Sequence, residues 1–207
     1  MPKIELTNED CMDLMKRYPD GYFELAIVDP PYSWNSGNAF TSRLKRYGDL
    51  SFNDTRPTPE YFLELARVSK HQIIWGGNYF LNDLGDTKCM IFWHKHQPVK
   101  TYAPGEIAWT SYHDRHVYYL DLPYFGAHGA DIQRSHPNQK PLKLYETLLG
   151  EFASDGDKIL DTHLGSASSA IAAHYGGFDF VGCELDKDYY DAAIERFNQQ
   201  TAQIAMF

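Results

Sequence analysis

Residues 158–199 read KILDTHLGSASSAIAAHYGGFDFVGCELDKDYYDAAIERFNQ, and this stretch decides the fold class. Lys158 to His163 is an apolar run of strand length. A Gly/Ser turn follows, then a helix from Ala167 to Tyr175 that Gly176-Gly177 stops. A second strand, Phe180 to Leu185, leads into a final helix from Lys187 to about Gln203. Strands alternating with helices of this length predict an α/β fold around a mostly parallel sheet.

The same alternation extends toward the N-terminus. Lys3 to Thr7 reads as a strand and Glu9 to Arg17 as a helix, closed by the turn Pro19-Asp20-Gly21. Tyr22 to Asp29 is a buried strand halted by Pro30-Pro31. Ser33 to Pro57 lacks periodicity and is predicted to be a long mobile loop. A helix starting at Thr58, with Pro59 in its first turn, precedes strands at His71–Trp75, Cys89–His94 and Glu106–Tyr112. Tyr112 to His136 gives no readable pattern, and Pro141 opens a helix through Phe152. No repeat or linker divides the chain, so residues 1–207 are expected to form a single domain.

Composition narrows the function classes. The 207 residues carry 19 basic and 28 acidic side chains, a net charge of −9 that opposes indiscriminate binding to a polyanion. Any DNA contact is therefore expected to be local, and weak and salt-sensitive on non-specific duplex. Aromatics make up 15%, with fifteen tyrosines, which suits stacking on bases. No apolar run reaches the roughly 18–20 residues of a membrane span, and the start of the chain has no signal-peptide character. Three cysteines, Cys11, Cys89 and Cys183, are far apart, as in a protein of the reducing cytoplasm.

Four segments carry chemistry. Asp29-Pro30-Pro31-Tyr32 closes a buried strand at the end that faces the ligand crevice in open α/β sheets. A carboxylate, a carbonyl beside two prolines and an aromatic ring make a receptor for a planar group bearing an amine. Asp161-Thr162-His163-Leu164-Gly165-Ser166-Ala167-Ser168 is a tight turn feeding a helix N-terminus. It lacks the Gly-x-Gly-x-x-Gly pattern of dinucleotide sites. Glu184 ends the next strand, 23 residues after Asp161, where such folds hold ribose hydroxyls. Together these two signals suggest an adenosine-type cofactor. His136-Pro137-Asn138-Gln139-Lys140-Pro141 is a polar segment that caps a helix.

In this order the segments resemble the S-adenosylmethionine-dependent DNA amino-methyltransferases with β-type circular motif order, particularly small phage-borne adenine enzymes. The resemblance implies a Rossmann-like methyltransferase fold, its sheet mostly parallel with one antiparallel strand, and S-adenosylmethionine as cofactor. It implies that Asp29, Pro30, Pro31 and Tyr32 are catalytic and that Asp10 and Cys11 lie by the cofactor adenine. Asp161, Thr162, His163, Gly165, Ser166 and Ser168, with Glu184, Leu185 and Asp186, would form the rest of the cofactor site. Gln139 and Lys140 match a segment beside the methionine end of the cofactor. Glu106-Ile107-Ala108-Trp109 resembles the strand lining the target-base side. Two departures stand out: His163 replaces an aromatic ring and Ala167 a glycine. Alanine is tolerated where φ is negative, so cofactor binding is expected to survive.

The implied reaction is methyl transfer to the N6 amine of a flipped adenine in DNA. Asp29 and the Pro30 carbonyl accept the amine hydrogens, Asp29 stays ionised, and Tyr32 stacks on the base. Arg43, Lys45 and Arg46 are candidates to hold phosphate. Residues 111–135 form a short target-recognition segment, which makes a homodimer plausible on grounds of size. RNA adenine methylation, cytosine-N4 methylation and a non-catalytic binding subunit are the competing readings. Asp in first position of the catalytic motif and Tyr32 in fourth favour adenine in DNA. His94-x-His96 would face one side of a continued strand, but no cysteine or acidic cluster in the sequence completes a ligand set, so no metal is expected. The stripe Tyr189, Tyr190, Ile194 and Phe197 is expected to be core or a dimer contact.

Overall fold

β2 (Phe23–Val28, FELAIV) runs through the middle of the sheet, and its side chains are shared between two cores. Leu25 and Ile27 enter one hydrophobic cluster, Phe23, Ala26 and Val28 the other. A strand apolar on both faces must be covered on both, which is why the sequence shows a run rather than an alternation. The computed structural model describes residues 1–32, 55–97, 103–124 and 139–202. The expectations for Arg43, Lys45 and Arg46, for His136, and for most of the 33–57 loop fall outside them.

The described elements, in chain order, begin with β1 (Ile4–Asn8), α1 (Cys11–Lys16) and β2, then α2 (Pro59–Val68) and β3 (Ser69–Trp75). A short 3-10 turn (Gly77–Tyr79) and α3 (Leu81–Leu84) lead to β4 (Met90–His94), β5 (Gly105–Thr110) and β6 (Tyr118–Asp121). α4 (Leu142–Phe152), β7 (Lys158–Asp161), α5 (Ser168–Gly176), β8 (Asp179–Glu184) and α6 (Lys187–Thr201) complete them. The sheet order is β1-β8-β7-β2-β3-β5-β4-β6. β5 runs antiparallel to both β3 and β4, while every other described pairing is parallel. The expected parallel sheet with a single antiparallel strand is therefore what forms. β6 is the strand that sequence reading left unassigned; only Leu120 of its four residues is buried, so no apolar period marks it.

From β7 the chain passes to β8 on one side, and from β2 to β3 on the other. The order reverses between β2 and β7, which are hydrogen-bonded neighbours. Such a switch point leaves a crevice at the C-terminal ends of the two strands. Asp29 follows β2 and Asp161 ends β7, so the two motifs flank that crevice.

Two boundaries correct the sequence expectation. α1 starts at Cys11 rather than Glu9, because Asp10 is its N-cap and accepts the Met12 amide at 2.8 Å. Ala167 is the residue before α5 and has φ +60°, not the negative value expected. A left-handed alanine costs about 1 kcal/mol; its fully buried methyl group lies in the core, and that packing opposes the strain.

Asp186 caps α6 in the same way, accepting the amides of Asp188 at 2.9 Å and Tyr189 at 3.1 Å. Replacing it with alanine leaves two orphan donors and is expected to lower unfolding stability by about 1 kcal/mol. Asp186→Asn, which keeps an acceptor, should lose far less. Urea denaturation of the two variants checks this.

Candidate active site

Asp29 sits at the mouth of the crevice with both carboxylate oxygens engaged. Tyr32 donates its hydroxyl to Oδ1 at 3.0 Å, and Lys140 places its ammonium on Oδ2. The prolines turn the chain so that Tyr32 folds back over its own motif. Its ring stacks on Tyr79 at 5.0 Å and lies against Gly76, where a β-carbon would come within 2.3 Å of it. Gly76, at φ +65°, is therefore required both for the turn after β3 and for the position of Tyr32. Burial, reinforced by the nearby Asp29 carboxylate, pushes the Tyr32 hydroxyl well above the usual tyrosine range, so it remains a donor. No described group donates to the Pro30 carbonyl.

The resemblance places Lys140 beside the methionine end of the cofactor; in the structure its side chain reaches Asp29. The side chain is only 6% exposed and lies between two carboxylates, on Asp29 and 3.5 Å from Glu106. Burial works against the ammonium, but Asp29 and Glu106 outweigh it and hold its pKa above the ordinary lysine value. Glu106, at the start of the antiparallel strand, also pairs with Lys95. Burial would raise its pKa, yet Lys140 and Lys95 keep it low. The result is an alternating row, Asp29–Lys140–Glu106–Lys95, in which each charge faces an opposite one. Lys95 and the ionic role of Glu106 were missed in the sequence, because their partners are remote in the chain.

The backbone carbonyl of Lys140 accepts from Ser168 Oγ at 2.9 Å, which joins the Asp29 carboxylate to the glycine turn. Arg196 on α6 reinforces the joint by donating to the Ser166 carbonyl and to Ser168 Oγ, the latter at 2.8 Å. Gln139 is buried beside it, its carbonyl accepting from Tyr124 at 2.6 Å.

The turn after β7 is shaped from within. Asp161 is 2% exposed and accepts from Ser169 Oγ at 2.6 Å and the His163 amide at 3.0 Å, so its carboxylate supports the turn rather than projecting into the crevice. Thr162 bonds Tyr61 at 2.6 Å, and His163 Nδ1 lies 3.0 Å from Thr162 Oγ1. Burial pushes the His163 pKa down to about 4, so this replacement for an aromatic is neutral near pH 7 and packs edge-on against Tyr61. Glu184 accepts the amides of Gly165 and Asp186, both at 3.0 Å, and so fixes the turn against the end of β8. Asn8 donates to the carbonyls of Glu184 and Leu185, which brings Asp10 and Cys11 beside them. Leu185 is exposed at this rim. Asp10, Cys11, Gly165, Glu184, Leu185 and Asp186 are thus brought to one edge of the sheet. The donor set suits a nucleoside: partly buried Glu184 beside a turn of small residues, with Asp10 and Asp186 on the flank.

The DNA methylase family model, of the N6/N4 class, matches residues 126–195. Over 93% of the chain and 86% of its own length, the Type II methyltransferase M2.MboI of Moraxella bovis is 22% identical. M2.DpnII of Streptococcus pneumoniae is 24% identical over 96% of the chain and 91% of its length. Among solved structures, the M1.HpyAVI–SAM complex superposes with a TM-score of 0.65 at 19% identity, covering 94% of this chain and 99% of that one. The Thermus thermophilus putative DNA modification methylase TTHA0409, complexed with S-adenosylmethionine, gives 0.61 at 20% identity, over 95% and 93%. PvuII DNA methyltransferase, cytosine-N4-specific, gives 0.62 at 11% identity, over 97% and 90%.

Two variants test the electrostatics. Lys140→Met leaves the part-buried Asp29 carboxylate without its cation and Glu106 with Lys95 alone, and is expected to cost about 3–5 kcal/mol of stability, with Lys140→Met/Asp29→Asn recovering part of the loss in a denaturation cycle. Asp161 provides a pH signature, since burial raises its pKa to about 7. A native pKa above the unfolded value means the folded state holds the extra proton, so this group's contribution is full below about pH 4 and declines as pH rises to about 7. Relative to Asp161→Asn, the native protein should lose a few kcal/mol over that window and level off above it. A constant difference between the two would exclude a proton on Asp161.

In sequence along nearly its whole length, and in fold, the chain is thus similar to the S-adenosylmethionine-dependent DNA methyltransferases.

Proposed function

We propose that this protein transfers a methyl group from S-adenosylmethionine to the N6 amine of adenine in DNA, with the base turned out of the duplex. One observation carries the reading: a carboxylate held by two donors, Asp29, stands at the sheet's switch point beside a turn built for a nucleoside. The cofactor, bound along the Asp10–Glu184–Gly165 edge, supplies an electrophilic methyl group.

The remaining work falls to the chain. A ring amine is a poor nucleophile because its lone pair is shared with the ring. A carboxylate has about four lone-pair positions, so Asp29 accepts one amine hydrogen while keeping Tyr32 and Lys140. The Pro30 carbonyl accepts the other, and nitrogen turns toward tetrahedral geometry with its lone pair free; the nitrogen becomes cationic as it takes the methyl group and then sheds one hydrogen, as a proton, to water. Positioning and fixed charges supply most of the acceleration. Tyr32 and Tyr79 form the aromatic wall beside the incoming base. The target atom is out of reach in a stacked duplex, which is the reason for base flipping. The proposal extends to a twofold pair of chains, since residues 111–135 are short for reading a site alone.

Nucleoside mass spectrometry on DNA incubated with the protein and S-adenosylmethionine is the test. N6-methyladenine should accumulate and should fall by at least a hundredfold in Asp29→Ala, while the cofactor still binds by calorimetry. N4-methylcytosine in its place would keep the mechanism and overturn the base. No modified base in DNA, with methylated adenine in RNA, would overturn the substrate.

A further inference from the structure

At the far side of the sheet, β4 and β6 run parallel in a register that sets His94 beside Asp121. His96 turns back to the same point. Its Nε2 hydrogen-bonds Asp121 Oδ1, and His94 Nδ1 lies 3.3 Å from that same oxygen. The three ligand atoms all fall within 4.8 Å of one another, and the two imidazole centroids are 4.2 Å apart. Tyr119 adds a hydroxyl 3.1 Å from His94 Nδ1. The side chains are 32%, 41% and 54% exposed for His94, His96 and Asp121, so an ion and its waters have direct access.

The backbone holds this arrangement against its own preference. His96 has φ +53°, a conformation that an L side chain adopts at a cost. The residue before it is pinned on both sides: the Lys95 amide donates to Pro104 and its carbonyl accepts from Tyr124, each at 2.8 Å. Lys95 itself points the other way, to Glu106. The third ligand escapes a reading of the sequence because it lies in β6, the strand with no apolar period.

We propose that His94, His96 and Asp121 form a surface site for one divalent ion of the zinc or nickel class. Two imidazole nitrogens and one carboxylate oxygen, with water at the open positions, suit borderline first-row ions. Magnesium and calcium, which take all-oxygen shells, fit poorly. The site lies at the same edge of the sheet as Asp29 but is separate from it, and it clamps the end of β4 to β6.

The test uses untagged full-length protein dialysed against a chelator. Zinc is followed by calorimetry and cobalt by its visible absorption. One ion per chain is expected, with a melting temperature raised by about 5 °C at a hundredfold excess over the dissociation constant. His96→Ala and Asp121→Asn should each weaken binding about tenfold or more, and the double variant should abolish both binding and the melting shift. Circular dichroism of the metal-free variants shows whether they are folded. His113→Gln and His116→Gln, exposed elsewhere, should bind as the native chain does. Failure of the native protein to bind zinc or cobalt stoichiometrically overturns the proposal, as does binding that survives in the double variant.

Discussion

The buried ammonium of Lys140 is the constraint on which the site depends. It bridges two carboxylates through its side chain and the glycine turn through its backbone carbonyl. An uncompensated charge at that depth would cost several kcal/mol, so Asp29, Glu106 and Lys140 are stable there only together. This mutual need holds the Asp29 carboxylate at a fixed place relative to the glycine turn. A hydrophobic replacement for the row would spare the desolvation cost, but it would not orient a carboxylate.

The sheet explains why these groups meet although they are far apart in the chain. Parallel strands all deliver their C-terminal ends to one edge, and the antiparallel β5 delivers its N-terminal end, with Glu106, to that same edge. The reversal between β2 and β7 opens the edge where Asp29 and the turn after Asp161 lie. Smaller contacts then set distances: Asn8 ties β1 to the end of β8, Glu184 ties the turn to α6, and Arg196 ties α6 back to Ser166 and Ser168. Several of these were expected to touch ligand. In the structure Asp161, Thr162, Ser166 and Ser168 direct polar atoms into the protein and give the crevice its shape.

Much of this was legible in the sequence, for identifiable reasons. β2, β7 and β8 are apolar runs bounded by prolines, glycines or acids, so their ends could be placed to within a residue or two. The order of Asp29–Tyr32 before Asp161–Ser168 fixed the circular arrangement. What stayed illegible depends on tertiary pairing. Lys140 and Glu106 give no local sign of being partners, nor does Tyr79 of stacking on Tyr32. The left-handed φ of Ala167 is set by packing around its methyl group, and alanine itself carries no signal for it. β6 is an edge strand with one buried residue, which leaves no period to read.

Charge balance divides the labour between the two ligands. The row through Asp29 is neutral overall, two carboxylates against two ammoniums, so it presents an acceptor without net charge. The proposed cofactor edge is different: Asp10, Glu184 and Asp186 bring three carboxyl groups to it, with no described cation against any of their side chains. The field there would favour a positively charged ligand over a neutral one. It repels phosphate, however, and the chain as a whole carries −9. Contact with a polyanion would fall to local basic clusters, of which Arg43, Lys45 and Arg46 are the densest in the sequence.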